Sequence, residues 1–157
     1  MESTPGSGST FWFTLAQPEA DGLTEARGAA VSRQLPEDLT VLVVDDNPVN
    51  LRVATYMLEN LGVKTQTASG GADAIAAALA GDFSCILMDC QMPGIDGLEA
   101  TRRIRAKGRT MPIVALTASA FVEDREACQL AGMDDMLTKP VMPEDLSRVL
   151  LSFACAA

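Results

Sequence analysis

The sequence contains no histidine, which removes every mechanism in which the chain's own imidazole acts as base, metal ligand or phosphoryl carrier. Aromatic residues are scarce at 4%, with one Trp and one Tyr. Basic residues are also few: 12 Lys and Arg stand against 21 Asp and Glu, for a formal charge of -9. A surface that grips phosphate backbones needs clustered cations, so nucleic acid is not an expected partner. The four cysteines, Cys85, Cys90, Cys128 and Cys155, show no C-x-x-C spacing, and three of them sit in the apolar or helical contexts of reduced, buried thiols. No apolar run approaches the roughly 18–20 residues of a membrane span, and residues 1–30 lack the charged-then-apolar layout of a signal peptide. Together these features predict a cytoplasmic protein without direct membrane contact.

What is present is a chain of 157 residues, 48% of them hydrophobic, enough for one domain with its own core. Residues 16–38 mix Pro, Gly, Ala and charge without a sustained apolar period and read as a linker. The folded unit begins after it, at 39–154. "VLVVDD" (41–46) is an apolar, β-branched run closed by two acids, as expected of a strand buried on both faces of a parallel sheet. In the stretch that follows, Asn47 is placed to cap a helix, Pro48 suits its first position, Val49, Val53, Met57 and Leu61 recur on one face, and Gly62 stops it. The same unit then repeats, with strands expected at 63–69, 85–89, 111–119 and 135–140 and a helix after each. Strict alternation of this kind predicts a parallel sheet with helices on both faces.

In such a sheet the strand ends carry the chemistry. Asp45 and Asp46 end the first strand, Asp89 the third, Thr117 the fourth and Lys139 the fifth, so three carboxylates, a hydroxyl and an ammonium converge on one edge. Clustered carboxylates repel one another and need a cation. Mg2+ suits them, because it takes oxygen ligands and keeps several waters. A remaining carboxylate oxygen can attack a phosphoryl group whose charge is neutralised by the metal and Lys139, with Thr117 donating a hydrogen bond to the bound group.

The stretches "VLVVDDNPVNLRVA", "CILMDCQMPGIDGLEATRRIR", "PIVALTASA" and "GMDDMLTKPV" resemble the receiver domain of two-component signalling proteins, of the type attached to hybrid sensor histidine kinases. The resemblance implies a flavodoxin-like, doubly wound, five-stranded parallel sheet of order 2-1-3-4-5. It implies Asp89 as the phosphoryl acceptor, Asp46 and Asp89 as direct Mg2+ ligands, Asp45 as a ligand through water, and the Gln91 backbone carbonyl as a further ligand. Thr117 is then the switch hydroxyl, Lys139 the phosphoryl clamp, and the Lys139–Pro140 peptide cis. Gln91 and Ser119 border the route of hydrolytic water and tune the lifetime of the phosphorylated state. Members of the family generally carry Tyr or Phe three residues before the lysine, where this chain has Met136, a flexible side chain able to pack in either state, so the family's usual aromatic route of output is not carried over to it.

The same resemblance gives the partners. The phosphodonor or acceptor is a histidine on a kinase dimerisation domain or a phosphotransfer protein, docking on Val49, Asn50 and Val53 with Val141 and Met142. Homodimer contacts through residues 10–15, or through the fourth helix, fifth strand and fifth helix, fit the pattern too. "GSGSTFWFTLAQP" resembles the end of a histidine kinase ATP-binding domain, where a glycine-bearing turn leads into the last strand. Residues 1–15 are therefore expected to be a remnant of that domain, with 11–15 in contact with a neighbouring surface, and the parent kinase is open to membrane anchoring.

Arg102, Arg103, Arg105, Lys107 and Arg109 gather around the third helix and read as a solvated face. Two other classes compete with the receiver reading. A haloacid-dehalogenase-type phosphatase also uses an aspartyl nucleophile, Mg2+, Thr or Ser and Lys, but it carries D-x-D after its first strand, where this chain has adjacent acids. A pseudo-receiver with an unreactive pocket is the second, and the full set of acids, threonine and lysine argues against it.

Overall fold

The computed structural model describes residues 2–4, 8–10, 35–36, 38–119 and 121–154, and the chain divides into two units, Met1–Ser32 and Arg33–Ala157. In the first unit, β1 (Glu2–Thr4) pairs antiparallel with β2 (Gly8–Thr10), Ser3 facing Ser9. The aromatic stretch at 11–15 and its expected contacts lie outside the described residues, as does most of the 16–38 linker.

The second unit alternates strand and helix without interruption: β3 (Thr40–Val44), α1 (Pro48–Asn60), β4 (Lys64–Ala68), α2 (Gly71–Ala80), β5 (Cys85–Asp89), α3 (Gly97–Ala106), β6 (Ile113–Thr117), α4 (Val122–Ala131), β7 (Asp135–Thr138) and α5 (Pro143–Ala154). The five strands form one parallel sheet in the order β4-β3-β5-β6-β7. Counted from β3, this is the 2-1-3-4-5 order that the receiver resemblance implies. The strands are shorter than their apolar runs suggest, because β3 ends at Val44 and leaves both acids beyond it, and β6 ends at Thr117.

Strand residues alternate between the two faces. Leu42, Val44, Ile86, Met88, Ile113 and Ala115 pack on the side covered by α2, α3 and α4, whereas Val41, Val43, Cys85, Leu87, Val114 and Leu116 pack with residues of α1 and α5. Burial on both faces explains why "VLVV" and "CILM" carry no polar alternation. β4 is an edge strand and largely exposed, which is why "KTQTA" reads so thinly.

Asn47 caps α1, its side-chain oxygen accepting from the Val49 amide at 2.9 Å, and Pro48 takes the first helical position. Gly62, at φ 77°, turns the chain out of the helix. The core side of α1 matches only half of the stripe picked out by the sequence pattern, at Met57 and Leu61. Leu51, Ala54, Leu58 and Leu61 face the core together with Met57, while Val49 is 65% exposed and Val53 48%. The apolar arc of this helix is wide enough to serve both the core and an outer surface.

The basic cluster also departs from a simple solvated face. Arg102 and Arg103 pair with Glu99 on the exposed side of α3. Arg105 instead reaches across to the Gly132 carbonyl at 2.9 Å, the Met111 carbonyl at 2.8 Å and the Asp134 carboxylate at 2.8 Å. Arg109 bonds the Gly81 carbonyl and the Asp82 carboxylate. These two arginines tie loops at the end of α3 to α2 and to the α4–β7 turn.

Candidate functional site

The carboxyl ends of β3, β5, β6 and β7 bring the predicted chemical residues together. Asp45, one residue beyond β3, is buried, and its carboxylate is held by three donors. The Asn47 amide lies 2.8 Å from Oδ1, Asn50 Nδ2 lies 3.1 Å from each oxygen, and Lys139 Nζ lies 2.7 Å from Oδ2. Asp89, the last residue of β5, is buried as well. Its Oδ1 accepts from the Gln91 amide at 3.2 Å, and its Oδ2 stands 2.8 Å from Lys139 Nζ. Lys139 therefore bridges two carboxylates whose strands are neighbours in the sheet.

Burial pushes the Asp89 carboxyl above its ordinary value, against the pull of Lys139 and the Gln91 amide, and the nearby Asp45 charge adds to the rise. For Lys139, burial alone would lower the value, but hydrogen bonds to Asp45 and Asp89 outweigh it and hold the ammonium above its usual range. The lysine thus stays charged at neutral pH.

Asp46 is exposed and completes the acidic group: one carboxylate oxygen each from Asp45, Asp46 and Asp89 lie within 4.8 Å of one another. An all-oxygen set with one wet edge fits a hard divalent cation, which retains water, better than a soft metal that seeks sulfur or imidazole. Gln91 is exposed at the start of the β5–α3 loop.

Thr117 ends β6 one residue past Leu116, the register partner of Asp89, and is buried. Its hydroxyl oxygen accepts from the Ser119 amide at 3.2 Å, and its carbonyl accepts from the Lys139 amide at 2.7 Å. The Lys139–Pro140 peptide is cis. Met136 sits on the edge strand β7 opposite Ala115, half-buried against the same core as Cys128 and Met133.

Beside the acids lies an apolar cavity of about 260 Å3, lined by Val43, Asp45, Asn50, Val53, Ala54, Met57, Leu116 and the stretch from Lys139 to Met142. Four of the five expected docking residues line it. The fifth, Val49, lies with Pro48, Arg52, Val53 and Tyr56 around an adjoining hollow on α1. The sequence pattern offers Asn50 only as a docking residue, and its grip on Asp45 emerges from the structure. The available signal was an amide side chain on the first turn of α1, five residues after a strand-end acid. Gly97 likewise emerges only from the structure: its amide donates to the Cys90 carbonyl at 3.2 Å, and a Cβ there would strike the Asp89 carbonyl oxygen.

The model of the response regulator receiver domain matches residues 41–151, which covers every strand of the sheet except the first residue of β3. The chain belongs to the response regulator receiver family. Its receiver is similar to part of the sensor histidine kinase RcsC of Salmonella typhi, 39% identical over 118 residues, 75% of this chain and 12% of that protein. It is also similar to the virulence sensor protein BvgS of Bordetella bronchiseptica, 37% identical over 169 residues, 100% of this chain and 14% of that protein. The chain thus spans only a small part of the curated relatives it matches.

Among solved structures, the receiver domain of the sensor histidine kinase PA1611 from Pseudomonas aeruginosa PAO1, with a magnesium ion coordinated in its active-site cleft, aligns with TM-score 0.70 and 43% identity over 75% of this chain and 98% of that one. The receiver domain of Ssk1, in complex with the histidine phosphotransfer protein Ypd1 of Saccharomyces cerevisiae, aligns with TM-score 0.71 and 32% identity over 77% and 91%. Among the described residues, no helix is long and apolar enough to cross a membrane.

Proposed function

We propose that this receiver takes a phosphoryl group from a phosphohistidine on a partner onto Asp89, in a Mg2+-dependent reaction, and then passes it on or regulates its kinase. The observation that carries the reading is Lys139 Nζ set between Asp45 and Asp89 at 2.7 and 2.8 Å, with Asp46 completing the acidic group. In the transfer, an Asp89 carboxylate oxygen forms a bond to phosphorus, the phosphorus–nitrogen bond to the partner's imidazole breaks, and its electron pair returns to the ring. Asp45, Asp46, Asp89 and the Gln91 carbonyl would hold Mg2+, which supplies neutralising charge to the phosphoryl oxygens. Lys139 adds its own positive charge to that group. Thr117 turns its hydroxyl toward the phosphorylated Asp89, and Gln91 and Ser119 set how readily water reaches it.

The histidine must come from outside, since the chain has none. A histidine-bearing helical bundle suits the apolar cavity between α1 and the loop after Lys139, and the likeness to a receiver seen with a phosphotransfer protein supports that partner. Residues 1–15 are read as the end of a kinase ATP-binding domain and 16–38 as its linker. The match to BvgS across the whole chain supports this origin within a hybrid kinase. Mapping the acyl phosphate tests the acceptor directly. Borohydride reduction after phosphorylation is expected to convert Asp89 alone to homoserine in peptide maps. Conversion at Asp45 or Asp46 would overturn the assignment.

A further inference from the structure

Two thiols outside the phosphoryl chemistry lie against each other beside the acceptor. Cys90 follows Asp89 directly and Cys128 lies on α4, 38 residues later, yet their sulfurs are 3.8 Å apart. Both are free. A disulfide requires closure to about 2.05 Å, and the surrounding packing is suited to give way. The same core contains Met88, Met92 and Met133, with Met111 and Met136 packed against it, and unbranched thioethers adapt to small displacements more readily than branched aliphatics.

We propose that Cys90 and Cys128 form a redox modification site, in which hydrogen peroxide closes a disulfide that ties α4 to the end of the acceptor strand and slows phosphorylation of Asp89. Cys90 is half-buried and Cys128 buried, so peroxide meets Cys90 first. The Cys90 sulfur bonds one peroxide oxygen as the O–O bond breaks, leaving a sulfenic acid and one water. The Cys128 sulfur then bonds the Cys90 sulfur as the S–O bond breaks, releasing a second water. Two thiols lose two electrons, peroxide gains them, and both thiol protons end in water.

The inhibitory half of the proposal rests on Asp89 being the acceptor, and the experiment separates the two. The whole chain is treated with peroxide, then mapped by nonreducing peptide mass analysis, and its rate of phosphorylation by a small phosphodonor is compared before and after a thiol reductant. The expected result is a Cys90–Cys128 cross-linked peptide, a mass loss of about 2 Da, and labelling slowed at least about threefold until reductant restores it. Cys128→Ala and, separately, Cys90→Ser remove both the cross-link and the peroxide effect. Sulfinic acid at Cys90 without a cross-link, or disulfides only through Cys85 or Cys155, would overturn the proposal. A Cys90–Cys128 cross-link with unchanged labelling would overturn its inhibitory half. Reduced protein that takes no phosphoryl group contradicts the preceding functional reading and that same half, while the peptide map still decides the disulfide.

Discussion

Asn50 holds Asp45 through a single amide nitrogen, Nδ2 lying 3.1 Å from both carboxylate oxygens. With the Asn47 amide and Lys139 on the same carboxylate, the buried acid is fixed in one orientation before any ligand arrives. Asn50→Ala removes one of these donors. It is expected to lower the rate of Asp89 labelling by a small phosphodonor about fivefold, the equivalent of about 1 kcal/mol for one bond to a charged group at a partly wet site. Mg2+ affinity, measured by calorimetry, is expected to fall with it. Unchanged labelling and unchanged affinity would confine Asn50 to partner docking.

The buried Asp89 charge carries a stability cost. Its carboxyl is raised by burial, so between the ordinary carboxylate value and the raised one the folded state binds more proton than the unfolded state, and stability falls as pH rises through that window. Asp89→Asn removes the titration. At neutral pH the variant is expected to melt a few degrees above the wild type. The gap between their melting temperatures should shrink as pH drops into the carboxylate range. A variant that melts lower at neutral pH would show that the ion pair with Lys139 outweighs burial.

The apolar cavity beside the acids separates chemistry from docking. Val53→Glu and Met142→Glu place charge on exposed apolar residues of the lining, neither of which belongs to the group formed by the three carboxylates and Lys139. Transfer from a phosphorylated histidine phosphotransfer protein is expected to slow about tenfold or more, as loss of an interface anchor does. Labelling by a small phosphodonor should not change. Equal losses in both assays would place these residues in the reaction itself.

Gly97 begins α3 against the strand that bears the acceptor. A Cβ there would meet the Asp89 carbonyl oxygen and the backbone of Cys90, neither of which is a flexible side-chain end. Gly97→Ala is expected to cost about 1–3 kcal/mol, read by chemical denaturation, and to slow Asp89 labelling as well. A stable, fully active variant would contradict the close approach.

The strand-end residues were legible because a parallel alternation forces them to one edge whatever their spacing in the chain. Asp45, Asp89, Thr117 and Lys139 meet for that reason. Contacts between side chains across elements were not legible. Nothing in the spacing of Cys90 and Cys128 announces a 3.8 Å approach, because helix and strand rotations decide it. Arg105 and Arg109 read as surface charge by residue type, yet both spend their guanidinium groups on loop carbonyls. The α1 stripe misled for a different reason. A helix with apolar residues at both Val49 and Leu51 has more than one candidate face, and only packing against the sheet selects one.

Intact mass of the protein incubated with Mg2+ and a small phosphodonor tests the central claim most directly, run beside Asp89→Asn and a chelated control. The account predicts one added phosphoryl group, about 80 Da, on the wild type with Mg2+ and none in either control. An adduct that persists in Asp89→Asn, or no adduct under conditions that modify another receiver, would contradict it.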